Sequence, residues 1–227
     1  MLKRLFDLLL SLAALVVLWP LMLLAAIVIK VNMPGPVLFK QTRIGRYARP
    51  FVIYKFRTMR INNSKVSVTL STDSRITPFG NFLRKTKIDE LPQLFNILKG
   101  EMSIVGPRPD VPGYYDTLKG EDQLIWQLRP GLTGLDSMCY PNEQAILDRE
   151  ADPERYYDEV LWPDKVRLNR WYAENRSFWM DVRIVLNTAS LLLMGKQVVK
   201  VGGLKRLERG GNLSERSDLS DLSDGAT

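Results

Sequence analysis

The 227-residue sequence contains no histidine and one cysteine, Cys139. Without imidazole the chain cannot build a Ser-His-Asp or Cys-His catalytic site, or a histidine-ligated zinc centre. A single cysteine cannot form an intrachain disulfide, and we interpret Cys139 as a small packed residue. Any catalysis must therefore come from carboxylates and basic side chains, with or without an oxygen-bound metal.

Acidic residues are absent from one long stretch near the N-terminus. No Asp or Glu occurs between Asp7 and Asp73, whereas nine Lys and Arg residues lie between positions 30 and 65. This basic block, in a chain of formal net charge +7, is suited to polyanions such as anionic lipid headgroups, nucleotides or nucleic acid. No nucleic-acid-binding module accompanies it, so we expect no nucleic-acid partner.

A long apolar run, from Leu5 to Ile29, begins almost at the N-terminus. As a straight helix it would cross a bilayer core of about 30 Å. Pro20, directly after Trp19, predicts a kink between arms of about fifteen and nine residues, each too short to span. Basic residues on both sides draw both ends toward the cytoplasm. The sequence therefore favours a re-entrant helix over residues 1–32, with a single crossing as the alternative.

The patterns after this helix predict short elements. Apolar runs at 37–39 and 51–54 indicate a small basic β-hairpin, and residues 62–77 read as a polar surface loop. Helical pattern resumes at Phe79, and a second helix that starts near Asp89 ends at Gly100. Further helices are predicted at about 142–148, 156–174 and 178–194, and a disordered tail at 202–227. The apolar stripe of the 178–194 helix suits core packing by default, or a bilayer surface.

Asp89 and Glu90 are the strongest candidates for chemistry. An aspartate at the start of a helix is most often an N-cap. Here we expect the helix N-terminus and nearby basic residues to favour both an ionised Asp89 and a bound phosphate. An ionised aspartate can attack phosphorus or bind Mg²⁺. Glu90 could orient a metal, act as a base, or be a solvated helix residue.

Two arginines and one further acid are weaker candidates. Prolines on both sides of Arg108 restrict its backbone, so little conformational entropy is lost when its guanidinium binds a phosphate. Arg129, before Pro130, has the same interpretation with a weaker signal. Asp181 lies at the border of the last helical stripe, which would bring a carboxylate near the membrane plane. Each of the three also has an ordinary surface interpretation.

Six segments together resemble the small bacterial sugar transferases, which are monotopic phosphoglycosyl transferases. The resemblance covers about residues 1 to 195. It is carried by KRLFD at 3–7 with the Trp19-Pro20 break, YKFRTM at 54–59, KIDELPQLFN at 87–96, SIVGPRP at 103–109, RPGLTG at 129–134 and SFWMD at 177–181. Each segment alone is a weak signal, but their shared order and spacing are specific.

The resemblance implies a helix-rich α/β monotopic membrane protein of the bacterial inner membrane. It implies a re-entrant helix (1–32), a catalytic domain (33–201) on the cytoplasmic face that contains the hairpin, surface amphipathic helices, and dependence on Mg²⁺. In the family, the aspartate that matches Asp89 attacks the β-phosphate of a UDP-sugar and releases UMP. Polyprenyl phosphate, usually undecaprenyl phosphate, then takes the phosphosugar, which initiates glycan assembly.

The residues that match functional positions of the family include Glu90, Asp181 and Arg108, the last in a phosphate-binding loop. We assign Asp89 and Glu90 as catalytic residues and Asp89 as the metal ligand. The substrate-binding candidates are Lys55, Arg57, Arg108, Arg129 and Asp181. A homodimer is left open. After the RPGLTG turn many members continue with a QVNGRN-like stretch, whereas residues 135–142 read LDSMCYPN, so the sugar cannot be named. The rival hypothesis is a non-enzymatic membrane scaffold that binds anionic lipid or nucleic acid.

Overall fold

The computed structural model describes residues 2–60 and 73–195. The predicted disordered tail and most of the predicted surface loop lie outside the described residues. The helices are α1 (Leu2–Asn32), α2 (Pro78–Lys85), α3 (Gln93–Lys99), α4 (Leu135–Cys139), α5 (Glu143–Leu147), α6 (Pro153–Tyr156), α7 (Trp162–Asn175) and α8 (Phe178–Met194). The strands are β1 (Leu38–Ile44), β2 (Pro50–Phe56), β3 (Ser103–Val105) and β4 (Gly131–Thr133).

Helix α1 is long and apolar enough to cross a membrane, the one such helix in the described ranges. It continues through Pro20 as a single helix, so the structure does not divide it into two separate arms. Near its start, the buried Asp7 carboxylate accepts hydrogen bonds from Ser103 Oγ and the Ile104 N–H. Near its end, Ile29 packs in a buried cluster with Phe56. Both ends of α1 therefore contact the same folded domain.

The predicted hairpin is confirmed, with longer strands than the apolar runs suggested. Strand β1 pairs with β2 in antiparallel register, and Leu38 lies opposite Phe56. The side chain of Asn96, fully buried on α3, covers part of β2: it accepts from the Tyr54 N–H at 3.1 Å and donates to the Val52 carbonyl at 2.7 Å. The same amide nitrogen donates to Glu101. This amide ties α3 to the hairpin.

A short parallel pairing between β3 and β4 was not predicted from the sequence. Ser103 lies opposite Gly131, and the Gly106 N–H donates to the Thr133 carbonyl at 2.9 Å. A Cβ on Gly106 would lie 2.2 Å from the Arg129 carbonyl oxygen, and one on Gly131 would lie 2.2 Å from the Gly106 nitrogen. Only glycine allows the two backbones to pass this closely.

The predicted helices of the C-terminal half are present, with changes at two places. The predicted helix at about 156–174 is observed as α6, a π-helical turn at Tyr157–Leu161, and α7. Helix α8 begins and ends as expected, but Asp181, Ile184, Asn187 and Ser190 form its buried side. Leu192, at the end of the predicted apolar stripe, is exposed. Default core packing is therefore wrong for the C-terminal part of that stripe.

Replacing Asn96 with alanine tests the link between α3 and β2. Asn96→Ala leaves two part-buried backbone groups of β2, the Tyr54 N–H and the Val52 carbonyl, without this partner, so we expect about 1–3 kcal/mol lower stability. Denaturant unfolding in a mild detergent, followed by near-ultraviolet circular dichroism, measures the change. Asn175→Ala is the matched control, because among the described residues the exposed Asn175 amide bonds only to the Trp171 carbonyl of its own helix; we expect a change within about 0.5 kcal/mol. Equal stability of the two variants would contradict this role of Asn96.

Candidate active site

The Asp89-Glu90 pair is placed by a tight connection between α2 and α3. Thr77 caps α2 by accepting the Gly80 N–H at 3.0 Å. Lys87 adopts a left-handed conformation with φ 57°, which costs a residue with a side chain on the order of 1–3 kcal/mol. A single 3₁₀ turn, Ile88–Glu90, follows. This reversal buries both acids, each 7% exposed.

Glu90 is held by two cations. Its Oε1 accepts from Lys55 Nζ at 3.0 Å and from Arg108 Nη2 at 2.5 Å, and its Oε2 accepts from Arg108 Nη1 at 3.3 Å. Burial opposes ionisation of Glu90, but Arg108 and Lys55 outweigh it and hold the pKa of this carboxyl well below its ordinary value. Glu90 also raises the pKa of Arg108. Glu90 is therefore a fixed negative charge.

Asp89 lies in the opposite electrostatic situation. Burial, followed by repulsion from Glu90, raises the pKa of its carboxyl, against the lowering effects of Lys55, Lys87 and Arg108. Within the described residues, buried Asp89 Oδ1 has no hydrogen-bond partner. A buried carboxylate oxygen without a partner is costly in a folded protein, and such groups are concentrated at sites of binding or reaction.

The sequence expectation that a helix N-terminus favours ionised Asp89 needs correction. Helix α3 begins at Gln93 and is preceded by Pro92, so Asp89 lies one turn before it, in the 3₁₀ segment. Helix-dipole effects fall off within the first turn. Burial instead raises the pKa of Asp89, and the nearby cations only partly compensate.

Arg108 reaches Glu90 from the loop that follows β3. Its backbone N–H donates to Asp136 Oδ2 at 2.9 Å, and this same oxygen accepts from Asn169 Nδ2 at 3.2 Å. Asp136 is 1% exposed, so it is a fully buried anchor for the Arg108 backbone. Sequence reasoning missed Asp136 as a site residue. The only signal was its place in the LDSMCYPN stretch, where the chain departs from the usual family pattern.

The structure thus brings together four of the predicted site residues: Asp89, Glu90, Lys55 and Arg108. Three others lie outside this cluster because their side chains serve other contacts. Arg57 is buried and donates to the carbonyls of Met33 and Pro34. Arg129 Nε donates to the Gly100 carbonyl. In the described residues both guanidinium groups bond to backbone carbonyls, and neither bonds to Asp89 or Glu90.

Asp181 also lies apart from Asp89. Its carboxylate accepts from Lys3 Nζ at 2.7 Å and from Tyr172 Oη at 2.5 Å. It is therefore a buried link between α8, α7 and the start of α1. Trp19 and Pro20, the predicted membrane residues, are exposed on α1.

The donor set of the cluster can be tested against Mg²⁺. In residues 2–60 and 73–195, no group of three or more His, Cys, Asp or Glu side chains could hold a metal ion. Mg²⁺ is usually bound by one or two carboxylates together with waters and substrate phosphates. The unpartnered oxygen of Asp89 fits that pattern, with the remaining ligands supplied by water and a phosphorylated substrate.

Comparison with known proteins identifies the family. The family model described as bacterial sugar transferase matches residues 1–195. The chain is 42% identical over 205 residues to the exopolysaccharide production protein PSS of Rhizobium leguminosarum bv. phaseoli, covering 86% of this chain and 97% of that protein.

Two longer relatives have names that state an activity. One is the UDP-glucose:undecaprenyl-phosphate glucose-1-phosphate transferase of Xanthomonas campestris pv. campestris, 39% identical over 84% of this chain and 38% of that protein. The other is the UDP-N-acetylgalactosamine-undecaprenyl-phosphate N-acetylgalactosaminephosphotransferase of Aeromonas hydrophila, 37% identical over 85% and 44%. The chain spans less than half of either protein.

These matches confirm the resemblance drawn from the six segments and the expectation of an enzyme rather than a scaffold. The matched range contains the whole cluster around Asp89 and Glu90. The chain therefore belongs to the bacterial sugar transferase family.

Proposed function

We propose that this enzyme transfers a sugar 1-phosphate from a UDP-sugar to polyprenyl phosphate, through a covalent phosphosugar on Asp89. The observation that carries the proposal is the buried Asp89 Oδ1, which has no hydrogen-bond partner in the described residues. The neighbouring acid, Glu90, is instead paired with Lys55 and Arg108. The names of the Xanthomonas and Aeromonas relatives support both substrate classes. The particular sugar is not assigned.

The reaction has two displacements at one phosphorus atom. An oxygen of ionised Asp89 attacks the β-phosphorus, a new O–P bond forms, and the bond to the bridging oxygen breaks. UMP leaves with that electron pair. A phosphate oxygen of polyprenyl phosphate then attacks the same phosphorus, the bond to Asp89 breaks, and the carboxylate is regenerated. No histidine is needed, because the nucleophile is an anion in its reactive form.

The neighbouring charges give the two acids different roles: Glu90 holds the cations, and Asp89 is the nucleophile. Arg108 and Lys55 keep Glu90 ionised, and Glu90 in turn holds their cationic groups beside Asp89. These cations are placed to stabilise the charge on the phosphoryl oxygens as the transition state forms. Bound Mg²⁺ would neutralise diphosphate charge, and Asp89 with Glu90 would face it. Positioning and electrostatics together would lower the barrier.

We further propose that α1 is re-entrant on the cytoplasmic face of the bacterial inner membrane. Exposed apolar side chains extend along α1 and continue on α8, where Trp179 and Leu193 are 70% and 84% exposed. Asp7 near the start of α1 and Ile29 near its end both pack on the one folded domain. A domain on one side of a bilayer cannot contact both ends of a helix that crosses it.

Replacing the nucleophile tests the chemistry. We expect Asp89→Asn to reduce UMP release from UDP-sugar more than about 1,000-fold, because the amide cannot form the covalent intermediate. Wild-type enzyme given donor alone should gain the mass of a sugar phosphate, and the variant should not. Asp148→Asn, which changes an exposed aspartate, is the control and should behave as wild type. Full turnover by Asp89→Asn would remove this residue from the role of nucleophile.

The pH dependence follows from the pKa directions. The reactive form of Asp89 is ionised and its pKa is raised, so the first step should slow as pH falls through that value. Lys55 lowers the pKa of Asp89, so the pKa of Asp89 should rise further in Lys55→Met. The fall in rate on the acid side of the pH–rate profile should therefore move to higher pH in this variant. Single-turnover UMP release against pH measures the shift. Lys119→Met, which removes an exposed lysine, is the control, and an unchanged pH–rate profile in Lys55→Met would refute the assignment.

Cysteine accessibility tests the topology. In a Cys139→Ser background, Leu2→Cys and Val31→Cys place exposed thiols near the two ends of α1. A membrane-impermeant maleimide should label both from the cytoplasmic side of membrane vesicles, together with the domain control Asp148→Cys. Labelling of the two ends from opposite sides would establish a spanning helix instead.

A further inference from the structure

A second concave site lies at the start of α1, away from Asp89. It is a cavity of about 140 Å³ between the first turn of α1, β3 and the connection from α7 to α8. Five cationic side chains line it: Lys3, Arg4, Arg46, Arg129 and Arg176.

The cavity has an excess of positive charge. Asp7 is the one carboxylate on its lining, and Asp7 is already bonded to Ser103 and the Ile104 N–H. Lys3 is paired with Asp181 at 2.7 Å. In the part of the chain that the structure describes, the four arginines have no carboxylate oxygen within 4 Å.

Hydrogen bonds to backbone carbonyls account for only some of the donor groups of these four arginines. Arg4 donates to the Ile97 and Leu98 carbonyls at the end of α3, where a helix favours positive charge. Arg129 and Arg46 each donate through Nε to one carbonyl, of Gly100 and Gln127. No hydrogen bond among the described residues uses the terminal nitrogens of these two guanidinium groups. Arg176 lies between α7 and α8, and no hydrogen bond among the described residues uses its guanidinium group.

The arginines also repel one another. Burial, and then the proximity of Arg46 and Arg4, lowers the pKa of Arg129. Like charges that face a shared cavity destabilise the fold unless an anion occupies it. Guanidinium groups are matched to phosphate in shape and charge, through paired N–H donors.

The surroundings indicate which phosphate would enter. Leu5 and Leu9 are exposed on the same end of α1, and Phe6 packs edge-on against Phe178 beside exposed Trp179. The proposed topology places this apolar surface in the bilayer, so the cavity would lie at the level of the lipid headgroups.

This site is separate from the catalytic cluster. The charged groups that shift the pKa of Asp89 are Glu90, Lys55, Lys87 and Arg108, and none of them lines the cavity. We propose that the cavity binds the phosphate of an anionic bilayer lipid such as phosphatidylglycerol. The proposal rests on the membrane location given above, and does not depend on covalent chemistry at Asp89.

Native mass spectrometry of the full chain in neutral detergent tests the site. Dioleoylphosphatidylglycerol should be retained in preference to dioleoylphosphatidylcholine, which has the same acyl chains. Arg46→Gln combined with Arg176→Gln should weaken its retention about tenfold or more, since each surface cation adds about 1 kcal/mol to binding of anionic lipid. The charge-matched control is Arg149→Gln with Arg155→Gln, two exposed arginines of the α5–α6 region, which should retain the lipid as wild type does. Thermal unfolding of each variant verifies that the fold is intact.

Each other outcome counts against the site. Equal retention of the two lipids, or equal loss in the two double variants, would mean nonspecific adhesion. Retention of undecaprenyl phosphate alone would assign the cavity to the acceptor substrate, and displacement of the lipid by millimolar inorganic phosphate would make it a site for free anions. Turnover is scored separately, so an inactive enzyme that still retains phosphatidylglycerol would overturn the proposed function and leave this site standing.

Discussion

The ionic cluster of Glu90 with Arg108 and Lys55 is the interaction on which the catalytic site depends. Two adjacent carboxylates buried together would ordinarily share protons, because both charges are costly in a low-dielectric interior. Here two cations are committed to Glu90, while Asp89 Oδ1 has no hydrogen-bond partner in the described part of the chain. One acid is therefore a permanent charge and the other is free to react.

The ionic cluster forms because two segments that are distant in sequence, the loop after β3 and the β1–β2 hairpin, are both fixed in place next to Glu90. Arg108 leaves β3 through a crossing that excludes any side chain at Gly106 and Gly131. The buried carboxylate of Asp136 then fixes the backbone N–H of Arg108. Lys55 comes from the hairpin, which the Asn96 amide ties to α3. The two cations thus reach Glu90 from independent supports.

Local signals in the sequence predicted much of this architecture. Two short apolar runs located the hairpin, Gly100 ends α3 in a left-handed conformation, and the bounds of α8 match its apolar run. The parallel β3 and β4 pair escaped prediction, because each strand has three residues and the pairing joins segments far apart in sequence. Its only trace in the sequence is the pair of glycines, Gly106 and Gly131, that the close approach requires.

Among the predicted site residues, the role could be predicted where the important neighbour is close in sequence, and could not be predicted where it is distant in sequence. Asp89 and Glu90 share one turn, and their chemistry could be anticipated from their adjacency. Arg129 and Asp181 have partners set by tertiary contacts, which no spacing reveals. The inward side of α8 shows the same limit: periodicity predicts a helix and an apolar stripe, but Asp181 is buried because Tyr172 and Lys3 bond to it.

The docking of α1 connects the catalytic cluster to the apolar surface of α1, which the proposed topology places in the membrane. Arg4 binds the carbonyls at the end of α3, and the turn that carries Asp89 precedes the start of the same helix. Seven residues of helix, Gln93–Lys99, extend about 10 Å. The distance from the first turn of α1 to the reactive carboxylate is therefore set by one short rigid element. In the proposed reaction the lipid-linked acceptor presents its phosphate near the bilayer surface, and this short connection fixes the position of Asp89 relative to α1.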